Sequence, residues 1–283
     1  MLVNMNDVLL PAKKGGYGVG FFNAVNIEMA RAIIEEAEEL KSPVMVGTAE
    51  ILLPVTELRE VAEYLIPMAE NASVPVCVHY DHGLTFERCM EALKLGYTSV
   101  MYDCSTASYD DNIGKLAEMV RICHGMGVTV EGELGHVGDN EGAGKLEKPS
   151  DYYTDPDQAE DFVKRTEIDS LAVAVGNAHG DYKFPPKLDF DRIETIADRT
   201  GIPLVLHGGS GLSDDDFRTA VKKGVCKVNI FTDIDKAGAK GIEEGLKAGV
   251  KTVTGLIPYE IDAMKKQVRN KIMLFASNGK ANA

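Results

Sequence analysis

The sequence predicts an α/β fold: a (β/α)8 barrel with an additional C-terminal helix, residues 1–283 forming one domain. Three observations predict it. Short β-branched runs alternate with segments of helical periodicity. Eight such units fit into 283 residues, the count a closed barrel needs. Polar, chemistry-bearing residues gather at the C-terminal ends of the runs, where barrels carry their active sites.

In chain order, the strands are expected at 18–23, 43–48, 75–80, 98–103, 128–134, 170–176, 203–207 and 226–231. Apolar residues at helical spacing fall between them, at 26–40, 57–70, 84–95, 109–126, 156–166, 189–199 and 213–223. Near-continuous apolar strands, each followed by a helix, imply a parallel sheet covered on its outer face. An open, doubly wound sheet is the rival topology. The tail at 258–276 reads as the extra helix. Residues 136–155 are rich in Gly, Asp and Glu and lack periodicity, so a long mobile loop is expected there. Gly15, Gly16, Gly18 and Gly20 look like a dinucleotide fingerprint, but they precede the first strand instead of following one.

Composition narrows the function classes. The chain is 45% hydrophobic and 26% charged, an ordinary globular balance, with a net charge of −14. That charge argues against a nucleic-acid partner and against an anionic membrane surface. It leaves room for a small anionic substrate, because a local field can oppose the global one. The five cysteines are widely spaced with no C-x-x-C pair, so neither a disulfide framework nor a structural zinc site is expected. A cytoplasmic location follows as the expectation, with no signal peptide visible and no apolar run of about 18 residues.

The strand ends hold the chemistry. The third run ends in His79-Tyr80-Asp81-His82-Gly83, the fourth in Asp103-Cys104-Ser105, and the fifth carries Glu131 and Glu133. The sixth ends in Asn177-Ala178-His179-Gly180, the seventh in His207-Gly208-Gly209-Ser210-Gly211, and the eighth in Asn229-Ile230-Phe231-Thr232-Asp233. Of six histidines, four lie at these ends; His124 and His136 read as surface residues. A lone strand-end histidine is usually a hydrogen-bonded structural residue. Histidines delivered by three strands to one rim can converge on an ion and leave a position open, the pattern of catalytic zinc. Gly208 to Gly211 precede a helix, so their amides could cradle a phosphate, or they could simply make a tight turn. The loops after the seventh and eighth strands are the usual phosphate site of barrels, which favours the first reading.

Taken together, these residues resemble the class II ketose-bisphosphate aldolases, which include fructose- and tagatose-bisphosphate aldolases. The resemblance covers nearly the whole chain: Phe22-Asn23, Ser42-Pro43-Val44, H-x-D-H-G at His79 to Gly83, and Glu131 to Gly135. It continues through Tyr153-Thr154-Asp155-Pro156, A-x-A-x-G-x-x-H-G up to Gly180, H-G-G-S-G at His207 to Gly211, and the tail Lys271 to Ala281. It implies reversible cleavage of a phosphorylated ketose, a 1,6-bisphosphate in the family, to dihydroxyacetone phosphate and an aldehyde. His82, His179 and His207 would hold Zn2+, Asp81 would act as general acid/base on the C4 hydroxyl, and Glu141 would move a proton from the mobile loop. Asp103 and Glu133 match acidic positions near the metal, linked to a second ion site or to support of the ligands. Gly180, Gly208, Gly209, Ser210, Asn229, Ile230, Phe231 and Thr232 would bind the dihydroxyacetone phosphate half, with Asn23 approaching the substrate. A monovalent cation near the phosphate and a homo-oligomer, dimer or tetramer, are further expectations of the resemblance.

The chain departs from the family at its substrate contacts. The usual Ser followed by Gly-Ala after the second strand is replaced by Gly47-Thr48-Ala49-Glu50-Ile51-Leu52, and Gly-Thr-Ser by Gly176-Asn177-Ala178. Phe231 stands where fructose-specific relatives carry Asp and tagatose-specific ones Ala, and the G-G-x-E-D loop reads Gly138 to Gly142. An aldolase on a different sugar or inositol-catabolite phosphate is therefore an alternative. A Schiff-base aldolase would need a strand lysine, for which Lys227 is the candidate. A non-catalytic sugar-phosphate binding protein belongs to another class again.

Overall fold

The computed structural model describes residues 1–135, 137, 153–178 and 187–282. Eight parallel strands form its ring: β2 (Val19–Asn23), β3 (Val44–Ala49), β4 (Val76–Gly83), β5 (Ser99–Tyr102), β6 (Thr129–Leu134), β7 (Ser170–Val173), β8 (Leu204–Leu206) and β9 (Val225–Ile230). They pair in the order β4-β3-β2-β9-β8-β7-β6-β5, and pairing of β4 with β5 closes the circle. Closure removes every free edge, so this is a TIM barrel and the open-sheet rival is excluded. A two-residue strand β1 (Leu2–Val3) adds only to β4.

Strand alternation sorts the side chains. Phe22, Val46, Val78 and Tyr80 face the outer helices and join the main apolar core. Val19, Phe21, Met45 and Cys77 point inward, where α1 (Met5–Gly15) plugs the N-terminal end with Met5, Val8, Leu9 and Ala12. Gly16, with φ of 66°, ends that helix, so the early glycines serve a cap and a turn. The same inward positions, continued along each strand, carry Asn23, His79, Asp81, Glu131, Glu133, Lys227 and Asn229, all buried. The polar end of the barrel is thus the continuation of its apolar interior.

Helices α2 (Ile27–Glu39), α3 (Leu58–Asn71), α4 (Phe86–Leu95), α5 (Tyr109–His124), α6 (Pro156–Thr166), α7 (Phe190–Thr200) and α8 (Asp214–Lys222) match the expected segments to within one or two residues. Most start at a side chain that accepts an N-terminal amide: Asn26, Thr85, Ser108, Asp155, Asp189 and Ser213. Each such cap is worth about 1 kcal/mol.

Other expectations need correction. The β4 strand runs on to Gly83, so Asp81 and His82 sit in the sheet and not beyond it. The β7 strand stops at Val173 because Ala174 turns its amide to the Thr154 hydroxyl. The final helix, α10, spans Val253–Leu274 and so starts before the expected 258. A 16-residue helix, α9 (Thr232–Lys247), is not among the expected segments; its buried residues are Ile234 and three glycines, Gly238, Gly241 and Gly245. Of the expected mobile loop, most lies outside the described residues. Of the described positions, Val137 is buried, and Thr154 is fully buried with its hydroxyl donating to Leu134 O.

Candidate active site

Asp81 and His82 are neighbours on β4, and alternation would send them to opposite faces. The pairing register of β4 with β5 breaks between Tyr80 and Gly83, and His82 stands at φ 48°. A non-glycine residue in that region costs roughly 1–3 kcal/mol. The irregularity turns both side chains toward one cavity, which they line together. Gly47 on the adjacent strand allows the approach: a Cβ there would lie 1.7 Å from His79 O.

Each histidine is oriented by a carboxylate. His82 Nδ1 lies 2.8 Å from Asp103 Oδ2, and Asp103 Oδ1 accepts from Ser105 N at 3.0 Å. His207 Nε2 lies 2.8 Å from Glu131 Oε1, and its Nδ1 is 3.4 Å from Glu133 Oε2. Such carboxylate–histidine pairs fix ring orientation and raise ligand basicity. The ring nitrogens opposite Asp103 and Glu131 are Nε2 of His82 and Nδ1 of His207, and the two rings meet edge-on with centroids 4.5 Å apart. Asp81, His82 and His207 can each bring one ligand atom within 4.8 Å of the others; so can His82, Asp103 and Glu133.

Below this layer sits a buried network that sequence reasoning did not find. Glu131 bridges His207 to Lys227, whose Nζ is 2.8 Å from Glu131 Oε2 and 4.5 Å above the Phe21 ring. His79 is fully buried, with Nδ1 2.8 Å from Ser99 Oγ and Nε2 3.7 Å from Glu131 Oε2. Lys227 is fully buried in this pair and does not line the cavity, which disfavours it as a Schiff-base nucleophile. His79, Glu131 and Lys227 each stand out in the sequence, as motif members or a strand lysine, but their pairing with one another has no local signal.

Electrostatics favour a cation. Burial opposes a charged His82, but Asp81, Asp103 and Glu133 outweigh it and push its pKa up to about 10. Burial, joined by Asp103, pushes Glu133 up to about 8. Burial also works against ionised Asp81 and Asp103, yet His82 and other partners hold both below the usual carboxylate range. Burial and then Lys227 drive His79 well down, so it is neutral. Asp81, Asp103, Glu131 and Glu133 converge here, with the buried Lys227 paired to Glu131. The ligand atoms grouped here could hold a metal ion.

The cavity holds about 480 Å³ and includes every described residue expected to touch substrate: Asn23, Gly208, Gly209, Ser210, Asn229, Ile230, Phe231 and Thr232. Asn23 Nδ2 donates to Asp81 Oδ2 at 3.4 Å, and Asn229 Nδ2 to Asp81 Oδ1 at 3.2 Å. Gly208 adopts φ 64°, and the Gly209 amide donates to Asn229 O at 3.2 Å, so the loops after β8 and β9 are tied together. Phe231 provides no side-chain cap for α9, whose first amides therefore start at the cavity wall. Asn177 holds the end of β8 by donating to His207 O at 3.0 Å. His179, Gly180 and Glu141 lie outside the described residues. His124 is exposed and paired with Asp169, as a surface residue would be, whereas His136 lies outside the described residues.

Known proteins share this architecture and order of residues. The family model described as fructose-bisphosphate aldolase class-II matches residues 3–280. A fructose-bisphosphate aldolase of Geobacillus stearothermophilus is 40% identical over 289 residues, covering 99% of both chains. The crystal structure of the YdjI aldolase from Escherichia coli K12 superposes with a TM-score of 0.90 at 36% identity, covering 100% of both chains. A putative fructose-1,6-biphosphate aldolase from Coccidioides immitis does so with a TM-score of 0.87 at 29% identity, covering 98% of both.

Proposed function

The chain belongs to the class-II fructose-bisphosphate aldolase family, and on that premise we propose that it cleaves a phosphorylated ketose reversibly to dihydroxyacetone phosphate and an aldehyde, with Zn2+ as its metal. The chain is an aldolase, a carbon–carbon lyase, of a family that acts on phosphorylated sugars. The observation that carries the finer reading is the β4 irregularity, which turns Asp81 and His82 together into the cavity beside His207. The donor set fits zinc, since two imidazoles are each oriented by a carboxylate. His82, His179 and His207 would hold the ion, with Asp103 and Glu133 offering His82 an alternative position. When bound, the ion supplies Lewis-acid charge at the C2 and C3 oxygens of the ketose.

The chain's own residues carry the proton steps. Asp81 takes the C4 hydroxyl proton as the C3–C4 bond breaks, and the bonding electrons remain on C3 as an enediolate. Asn23 and Asn229 hold the Asp81 carboxylate in place by donating to it. Glu141 would return a proton to C3 and complete dihydroxyacetone phosphate. The phosphate of that half would rest on the amides of Gly180, Gly208, Gly209 and Ser210 and on the start of α9 at Asn229 to Thr232. We further propose a homo-oligomer, a dimer or tetramer, as the working form.

Asp81→Asn tests the assignment. The variant should retain zinc, measured by elemental analysis, and lose about 10²–10⁴-fold in dihydroxyacetone phosphate release. Loss of zinc together with activity would move Asp81 from proton transfer to support of the metal site.

A further inference from the structure

We propose that the substrate is a ketose 1-phosphate whose aldehyde half carries no phosphate; the inference rests on the aldolase reading and narrows its substrate class. The ring order places β4 opposite β8, and β5 opposite β9. A phosphate held by the loops after β8 and β9 therefore directs the far end of the ketose toward the loops after β3, β4 and β5. That wall of the cavity is formed by Ala49, Ile51, Leu52, Leu84 and Thr106. No lysine or arginine is among the described residues that line the cavity. Against the described residues of that wall, a terminal phosphate dianion would give up its water without meeting a lysine or arginine in return.

The wall is also negatively charged behind its apolar surface. Glu50, between Ala49 and Ile51, accepts from Leu84 N at 2.6 Å and from Tyr80 Oη at 3.1 Å through one carboxylate oxygen. Glu50 thus fixes the distal wall from behind, and its carboxylate opposes an approaching phosphate instead of attracting it. Ile51 is 79% exposed and Leu84 61% exposed, so the rim offers carbon to an incoming chain. On the other side Phe231, and not a charged residue, lines the cavity at the head of α9. An uncharged polyol or alkyl aldehyde suits this surface, and glyceraldehyde 3-phosphate does not.

The zinc-loaded full chain is tested in the synthetic direction. Exchange of a C3 proton of dihydroxyacetone phosphate with solvent deuterium, followed by NMR, reports the shared half of the reaction without any aldehyde. Condensation then joins C3 to the aldehyde carbon while the aldehyde oxygen takes a proton from Asp81. Glyceraldehyde, other uncharged aldehydes and glyceraldehyde 3-phosphate are compared as acceptors. The expected result is proton exchange, with kcat/KM at least tenfold higher for the best uncharged aldehyde than for glyceraldehyde 3-phosphate. Leu84→Lys should shift that ratio at least tenfold toward the phosphorylated acceptor. Exchange with an equal or greater preference for glyceraldehyde 3-phosphate, exchange with no condensation, or an unshifted ratio in Leu84→Lys overturns the inference and leaves the aldolase reading standing. Absence of exchange overturns the aldolase reading and the inference together.

Discussion

Side chains at the barrel mouth are held in chains of contact, and Lys227 is where those chains end. It pairs with Glu131, Glu131 orients His207, and His207 meets His82 edge-on. Removing one partner of a buried pair leaves an uncompensated charge, at a cost of about 3–5 kcal/mol. Lys227→Met should therefore lower unfolding stability by about 3 kcal/mol, read from urea denaturation in chelator; an unchanged midpoint would show that Glu131 does not depend on it. The ion-free site also has a pH signature. His82 is raised to about 10 and Glu133 to about 8. Both lie above their unfolded values of about 6.5 and 4.3. The folded chain thus keeps protons that the unfolded chain releases, and stability falls as pH rises. The Glu133 share is lost from about pH 4.3 to 8 and the His82 share from about pH 6.5 to 10. In chelator, the urea midpoint should fall between about pH 6.5 and 9; a midpoint that rises over this range would contradict the described ion-free geometry. His82 and His207 could be found in the sequence because strand ends are where barrels place chemistry. Glu131 lies in a stretch that resembles the family and Lys227 is a strand lysine, but nothing local shows that the two pair beneath His207.

At the scale of elements, legibility followed the chemistry of the buried face. Helices α2 to α8 bury Leu, Ile, Val, Phe or Ala at helical spacing, and their segments were visible in the sequence. Beyond Ile234 the buried face of α9 is glycine, which reads as a helix breaker. Packing explains it. A Cβ at Gly241 would lie 2.3 Å from Tyr259 O on α10, and one at Gly245 would lie 2.8 Å from a Leu256 methyl. Gly241→Ala gains helix propensity of about 1 kcal/mol but drives α9 from α10, and overpacking typically costs about 1–3 kcal/mol. The variant should be less stable than the parent in urea; a stabilised variant would mean that the two helices have room to part. The β4 strand shows the same limit on a smaller scale. Alternation predicts its apolar positions, but the register break that swings His82 inward depends on the neighbouring strand, which no local pattern contains.

Taken whole, the molecule is an edge-free ring, plugged below by α1 and open above to one cavity of about 480 Å³. We propose residues 1–283 as one domain, since the closed ring offers no place to divide the chain. No described helix is long and apolar enough to cross a membrane. The fold was legible at this scale because strand count and alternation are properties of the entire sequence. The substrate was less so, because the cavity wall is assembled from loops after β3, β4 and β5 that are far apart along the chain. Carbon–carbon cleavage at this cavity requires, on the proposed function, an ion among the strand-end histidines. Titrating chelator-stripped protein with zinc, while following dihydroxyacetone phosphate release from ketose 1-phosphates and 1,6-bisphosphates, tests it most directly. Release should be negligible without zinc and rise until it levels off at about one ion per chain, as a single catalytic site requires. Full release in chelator, with the substrate trapped on Lys227 by borohydride, would contradict it.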